Sequence, residues 1–419
     1  MTTPNAIQEA ARAAAFSMPI DAIDPAKPDF FVEDTVGHYF ARLRRDDPVH
    51  LSHSTLFGDY WSVTKYQDIM QVDTHPGIYS SDWTHGGISL MEFPPGEQQL
   101  QMFIAMDPPK HDEQRKAVGP IVAPANLNNM ETLIRERTCK VLGDLPRNET
   151  FDWVDRVSIE LTTLMLATLF DFPLEDRKLL THWSDISTAI KSVNPDAPDP
   201  EVRMAELGKM LAYFTRLWNE RVNEPPRTDL VSMLAHGPAT RNMSPREYMG
   251  NLILLIVGGN DTTRNSMSGG LLALHENPEQ YAKLRANPAL VESLVPEIIR
   301  WQTPLAYMRR TALVDTELGG KQIKKGDKVA MWYLSGNRDE EAIEHADQLI
   351  IDRARPRQHL AFGFGIHRCV GNRLAELQLK ILWEEILKRF PVIEVVGEPK
   401  RVRSTFVRGF SHLPVRIPG

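Results

Sequence analysis

The chain has 419 residues, 42% of them hydrophobic, with a formal net charge of −7 and two cysteines. An acidic chain offers no global positive field to nucleic acid, and a core of this size needs no disulfide support. No Gly/Ser linker, low-complexity run or internal repeat divides it, so residues 1–419 read as a single domain.

The N-terminal text MTTPNAIQEAARAAAFSMPID lacks the basic-then-apolar order of a secretory signal, and residues 1–25 are expected to be peripheral or poorly ordered. The aliphatic run LILLIV, Leu252 to Val257, is too short to span a bilayer, so a cytoplasmic protein without a membrane anchor is expected. From Pro28 to about Ser80, helical text such as DTVGHYFARLRRD alternates with β-prone runs such as YWSVTKY, which predicts a small sheet with helices beside it.

From about Asp112 to Trp301 helical periodicity dominates, clearest in ETLIRERTCKVLGDL, RVSIELTTLMLATLF, AELGKMLAYFTRLWNERV and YMGNLILLIVGGNDTTRNSMSGGLLALHEN. The proline-rich stretch SVNPDAPDPEVR, Ser192 to Arg203, reads as a loop between two of these helices. Beyond Thr303, RRTALVDTELGGKQIKKGDKVAMWY predicts a second small sheet with a hairpin turn at Gly319 and Gly320. The last helix, Asn372 to Phe390, places Leu374, Leu377, Ile381 and Leu382 on one face and stops at Pro391. The fold class is mainly α with small β-sheets.

Four constellations carry chemistry. In FGFGIHRCVG, Phe362 to Gly371, Cys369 sits at the start of the last helix, where the dipole and free N–H groups favour a thiolate. It is either a structural turn cysteine, half of a chelating pair with His367, or the single thiolate ligand of a metal already held by another group. The other cysteine, Cys139, lies in a helical pattern and is structural. In GGNDTT, Gly258 to Thr263, residues unfavourable in a helix interior cluster inside an apolar helix, which calls for an opened turn, a functional groove or close helix packing. EIIR, Glu297 to Arg300, puts a carboxylate and a guanidinium on one helix face, with Pro296 predicting a bend or restart just before it. DPPKHDEQRK, Asp107 to Lys116, opens a helix with His111 and Arg115 four residues apart, a compact anion site.

These elements, in this order, resemble the cytochrome P450 family over nearly the whole chain. FGFGIHRCVG fits the haem-ligand pattern F-G-x-G-x-H-x-C-x-G at every defined position, and EIIR fits the family's E-x-x-R element. The resemblance implies a P450 fold with haem b between the long central helix and the cysteine loop, and Cys369 as axial ligand of the iron. His367, Phe362, Gly363 and Gly371 would complete the cofactor loop, and His111, Arg115 and Arg310, the last uncertain in register against Arg309, would join His367 on the propionates. Asp261 and Thr262 match the acid and alcohol that relay protons to dioxygen. Glu297 and Arg300 imply a structural network closed by Arg353, with Arg355 as the nearest alternative.

The implied activity is monooxygenation of a hydrophobic substrate, with O2 as oxidant and electrons from a ferredoxin and its NAD(P)H-dependent reductase, docked at Arg368 and Arg373. A monomer is expected. The text around these motifs resembles the branch that hydroxylates terminal carbons of alkanes and fatty acids. A terpenoid or other cyclic hydrophobic substrate is the alternative, and a non-oxygenating thiolate-haem sensor the alternative of a different class. The matching substrate wall is Val257, Gly258, Leu305, Ala306, Met308, Phe406 and Val407, with the stretch Gly86 to Phe93.

Overall fold

Strand-forming residues from two distant parts of the chain meet in one sheet. The computed structural model describes residues 4–92 and 100–419. In it β1 (Val49–Ser54), β2 (Gly58–Val63), β3 (Tyr79–Ser80), β4 (Met308–Ala312) and β5 (Lys328–Met331) lie in the order β1-β2-β5-β4-β3. β1 and β2 form an antiparallel hairpin, and β2 runs parallel to β5 in the register Trp61↔Val329. β4 pairs antiparallel with β5 and with β3. The hairpin expected at Gly319 and Gly320 forms as a separate two-stranded sheet, Thr316–Leu318 against Lys321–Ile323, whereas the strands expected in two separate sheets meet in one. Its strands are apolar on both faces: Val49, Val63, Val329 and Met331 pack on Ile69 and Val72, whereas Tyr60 and Ala330 pack on Phe31 and Phe40. A strand buried on both sides has to find a partner on each edge it would otherwise leave in the core.

The remainder is helical. The central helix, Pro245–Glu276, is 32 residues long and begins at a serine cap, with the Ser244 hydroxyl accepting from Glu247 N–H at 3.2 Å and Pro245 in the first turn. Leu252, Ile256, Leu271 and Leu274 face two different apolar clusters, as a helix that is buried all round requires. The helices Glu160–Phe170, Lys178–Thr188 and Val291–Gln302 pack directly on it.

Three local expectations are corrected. The loop Ser192–Arg203 ends early, because Pro200 starts the helix Pro200–Arg221. Pro296 neither breaks nor restarts its helix, which runs unbroken through it from Val291 to Gln302. The last helix, Asn372–Arg389, is not one-faced: Leu374 and Ile381 join one cluster, whereas Leu382, Trp383 and Ile386 join the other. At the other end of the chain, the helix Pro4–Ser17 inserts Ala15 between Ile23, Tyr39 and Leu43. Among the described residues no helix is long and apolar enough to cross a membrane.

Candidate functional site

The cysteine loop owes its shape to one buried carboxylate. Gly363 and Gly365 both have left-handed backbones (φ +64° and +62°), and a Cβ on Gly365 would lie 2.4 Å from the Asp73 carbonyl oxygen. Asp73 Oδ2 accepts from Phe364 N–H at 2.8 Å and from the Tyr333 hydroxyl at 3.0 Å, while Oδ1 accepts from Arg310 at 2.8 Å. Asp73 closes the helix Tyr66–Asp73, and no motif in the sequence singles it out. Within the loop, Cys369 N–H donates to the Phe362 carbonyl at 2.8 Å, which turns the sulfur toward the interior cavity.

Helix-start N–H groups do reach this sulfur, from Gly371 and Asn372, but they do not ionise it unaided. Burial pushes the Cys369 thiol up, and those N–H groups together with Arg115 and Arg368 only oppose the shift. The expected thiolate thus depends on a cation placed against the sulfur, because coordination deprotonates a thiol outright.

The cavity has a volume of about 940 Å³, and Cys369, Phe362, Gly363 and Gly371 all line it. His111, Arg115, Arg310 and His367 converge on its wall. The rings of His111 and His367 stand 4.2 Å apart, with His111 Nδ1 2.7 Å from Asp112 Oδ1 and His367 Nε2 2.8 Å from Ser81 Oγ. Their other ring nitrogens, His111 Nε2 and His367 Nδ1, are buried without a partner among the described residues. Burial and the neighbouring Arg310, His111 and Arg115 push His367 down to about 2, so it is neutral. Two orphaned ring nitrogens beside two guanidiniums fit the carboxylates of haem b, and Cys369 fits its axial position. On β4, Arg310 faces this cavity whereas Arg309 turns to the other side of the strand.

On the central helix, Leu254, Gly258, Thr262 and Ser266 recur every fourth residue along the cavity wall. The expected opened turn is absent: the helix is continuous here, and Thr262 Oγ1 donates back to the Gly258 carbonyl at 2.8 Å. The two glycines serve different ends. A Cβ on Gly258 would meet nothing within 4 Å, whereas one on Gly259 would come 2.7 Å from Leu166 Cδ2. Asp261, adjacent in sequence to Thr262, turns away from the cavity and is 1% exposed. Its Oδ1 accepts from Ser184 Oγ at 3.0 Å and Asn260 Nδ2 at 3.2 Å and lies 3.1 Å from Arg264; Oδ2 has no partner among the described residues. Burial raises its pKa, and Arg264 opposes the rise.

Glu297 and Arg300 are both fully buried and paired twice, at 2.8 and 2.7 Å. Arg353 Nε reaches Glu297 at 3.1 Å, and Ile350 N–H adds a fourth donor at 2.8 Å; Arg355 lies exposed. Arg300 also binds the carbonyls of Asn337, Ala346 and Gln348.

Val257, Leu305, Met308, Phe406 and Val407 line the cavity. Ala306 does not, which corrects its placement on the substrate wall. Its N–H is tied to the Phe406 carbonyl at 2.9 Å, and its methyl is packed in the cluster of Tyr307 and Trp332. In the stretch Gly86 to Phe93, Ile88, Ser89 and Met91 line the cavity, Leu90 points into the same cluster as Ala306, and Phe93 lies outside the described residues. Wall residues not anticipated include Met102, Ile104, Thr188, Ile190 and Leu254. Only Leu254 was within reach of sequence spacing, one helical turn before Gly258. Arg368 and Arg373 are exposed, and Cys139 is 3.4 Å from Glu385.

The cytochrome P450 family model matches residues 57–416. Linalool 8-monooxygenase of Pseudomonas putida is 35% identical over 404 residues, covering 94% of this chain and 98% of that protein. Methyl-branched lipid omega-hydroxylase of Mycobacterium tuberculosis is 32% identical over 416 residues, covering 95% of each. Among solved structures, cytochrome P450-153 from Novosphingobium aromaticivorans superposes with a TM-score of 0.89 at 49% identity, over 94% of this chain and 99% of that one. With a family match across most of its length and relatives aligned nearly end to end, the chain belongs to the cytochrome P450 family and is a haem b monooxygenase.

Proposed function

We propose that this P450 hydroxylates the terminal carbon of medium-chain alkanes or fatty acids, acting as a cytoplasmic monomer. The observation that carries the reading is the chemistry of the cavity wall outside the residues that fit haem b: Val257, Leu305, Met308, Phe406, Val407 and Ile88. Aliphatic, thioether and aromatic walls suit a flexible hydrocarbon chain. The relative named as a methyl-branched lipid omega-hydroxylase supports the same choice.

Haem b, when bound, supplies the activation of dioxygen that inserts one oxygen atom into a C–H bond and releases the other as water. The chain's part is to hold and to gate. Cys369 would ligate the iron through its sulfur, and His111, Arg115, Arg310 and His367 would hold the propionates. Thr262 keeps a hydroxyl proton at the cavity wall, and Asp261 supplies a carboxyl whose raised pKa lets it take up and release a proton. Gly258 leaves room beside Thr262. Glu297, Arg300 and Arg353 brace the segment that leads into the cysteine loop. The exposed Arg368 and Arg373 present positive charge to an acidic ferredoxin, which its NAD(P)H-dependent reductase reloads.

A second reading, hydroxylation of a terpenoid, is favoured by the relative named linalool 8-monooxygenase. Low- to high-spin titrations with alkanes, fatty acids and monoterpenes, followed by product identification with a surrogate redox pair, separate the two. Binding of monoterpenes without any linear chain would sink the terminal-hydroxylase reading. Cys369→Ser should abolish the red-shifted Soret band of the reduced, carbon monoxide-bound protein, and Cys139→Ser should leave it in place. An intact band in Cys369→Ser would remove Cys369 from the axial position.

A further inference from the structure

The turn between Trp83 and Met91 is built around a buried guanidinium. Arg309, 5% exposed, points away from the cavity into the hollow of that turn. Its terminal nitrogens donate to the carbonyls of His85 at 3.1 Å, Gly86 at 3.2 Å and Ser89 at 3.3 Å, and to Thr311 Oγ1 at 3.1 Å. Arg309 N–H adds the Ile88 carbonyl at 2.8 Å, Thr311 Oγ1 donates to His85 at 2.7 Å, and Leu90 N–H donates to the Tyr307 hydroxyl at 3.0 Å. A Cβ on Gly86, whose φ is +101°, would lie 2.2 Å from the guanidinium, so the backbone closes on the cation itself.

Arg309 makes no direct ion pair with a described carboxylate; carbonyl dipoles are its direct partners, and Glu92 adds a longer-range attraction from the end of the same stretch. A buried cation is costly without such partners. If the turn swung away it would strand the cation, so the two hold each other. The other side of the same turn presents Ile88, Ser89 and Met91 to the cavity.

We propose that Arg309 is a positioning residue that fixes this wall and so sets which hydrophobic ligands the cavity accepts. The proposal rests on the reading that this cavity receives the substrate, and it does not depend on whether that substrate is linear or cyclic.

The test uses holoenzyme carrying Arg309→Ala, Arg309→Lys or Thr311→Val. Two quantities are read: amide hydrogen exchange over residues 83–92, and spin-shift Kd values for n-alkanes of increasing length, fatty acids and a monoterpene. Arg309→Ala should speed exchange in the turn by about tenfold or more. It should also compress the spread between best and worst ligand by about fivefold, while the carbon monoxide-bound reduced spectrum stays unchanged. Lysine keeps the charge but cannot span three carbonyls, so it should restore only part of both effects. Thr311→Val, close in shape, should move both in the same direction by less, and it decides the matter alone if Arg309→Ala does not fold. Unchanged exchange in a folded variant overturns the proposal. So does faster exchange with an unaltered ligand ranking, which would leave Arg309 a structural brace. A wild-type preference for cyclic ligands would defeat the terminal-hydroxylase reading while leaving this outcome intact.

Discussion

Two buried carboxylates in this molecule stand on helices with an arginine three residues later, and their surroundings differ completely. Glu297 has both oxygens claimed, by Arg300 twice, by Arg353 and by Ile350 N–H. Asp261 has one oxygen crowded by Ser184, Asn260 and Arg264 and the other with no partner among the described residues, and Arg264 is drawn closer to Asp185, at 2.7 Å. A saturated buried pair is rigid, and removing one member leaves bare charges behind. A half-satisfied carboxylate is poorly held in its charged form, which lets it exchange a proton at little structural cost. The same i, i+3 spacing thus makes a saturated pair in one helix and a half-satisfied carboxylate in the other.

The largest break in this contrast should come from Glu297→Gln, which leaves Arg300 and Arg353 without their anion. It should cost about 3–5 kcal/mol in urea unfolding and lower haem content with it. Stability within experimental scatter of wild type would show that the carbonyl partners of Arg300 suffice.

Asp261→Asn should do the opposite, lowering product formation by about 10²-fold while the fold holds. Its pH dependence has a definite sign. Burial raises the native pKa of Asp261 above its unfolded value, so the native state keeps a proton that the unfolded chain has released. Wild-type stability therefore falls as pH rises through the window between those two values, and the penalty persists above it. Asparagine removes that loss, so urea midpoints should diverge in its favour from low to neutral pH; midpoints that stay parallel would contradict a raised pKa.

The smallest structural effect belongs to Thr262→Ala, which exchanges a hydroxyl bonded to Gly258 for a better helix former. Stability should change by about 0.5 kcal/mol, yet hydrogen peroxide should replace product as the sink for electrons. Full coupling would take Thr262 out of the proton route.

What the sequence disclosed follows from how locally each feature is encoded. Cys369 with its glycines, and Glu297 with Arg300, lie within one or two turns of chain, so spacing alone brings them together. Arg353 followed from the resemblance to the family's network, with Arg355 as the alternative, and it is Arg353 that reaches Glu297. Asp73 was invisible because its role exists only once Arg310, Tyr333 and Phe364 have folded around it from across the chain. Ala306 misled for a related reason: it lies just before β4, where hydrogen bonds to Phe406 and Leu334 replace strand alternation in deciding where its methyl points. The thiolate argument at Cys369 had the correct helix start but lacked the opposing desolvation, which arises only once distant segments fold around the sulfur.

The parallel pairing of β2 with β5 has a consequence for biosynthesis. During translation the β1/β2 hairpin is complete early, yet its inner edge stays open until residues 328–331 have been made. Until then a strand destined for burial on both faces exposes an unpaired backbone edge, the kind of surface that recruits other nascent chains. Such a long sequence separation makes closure slow, and the turn held by Arg309 and the loop held by Asp73 both wait on it. Truncation anywhere before Met331 should therefore yield aggregated chain rather than a smaller folded unit.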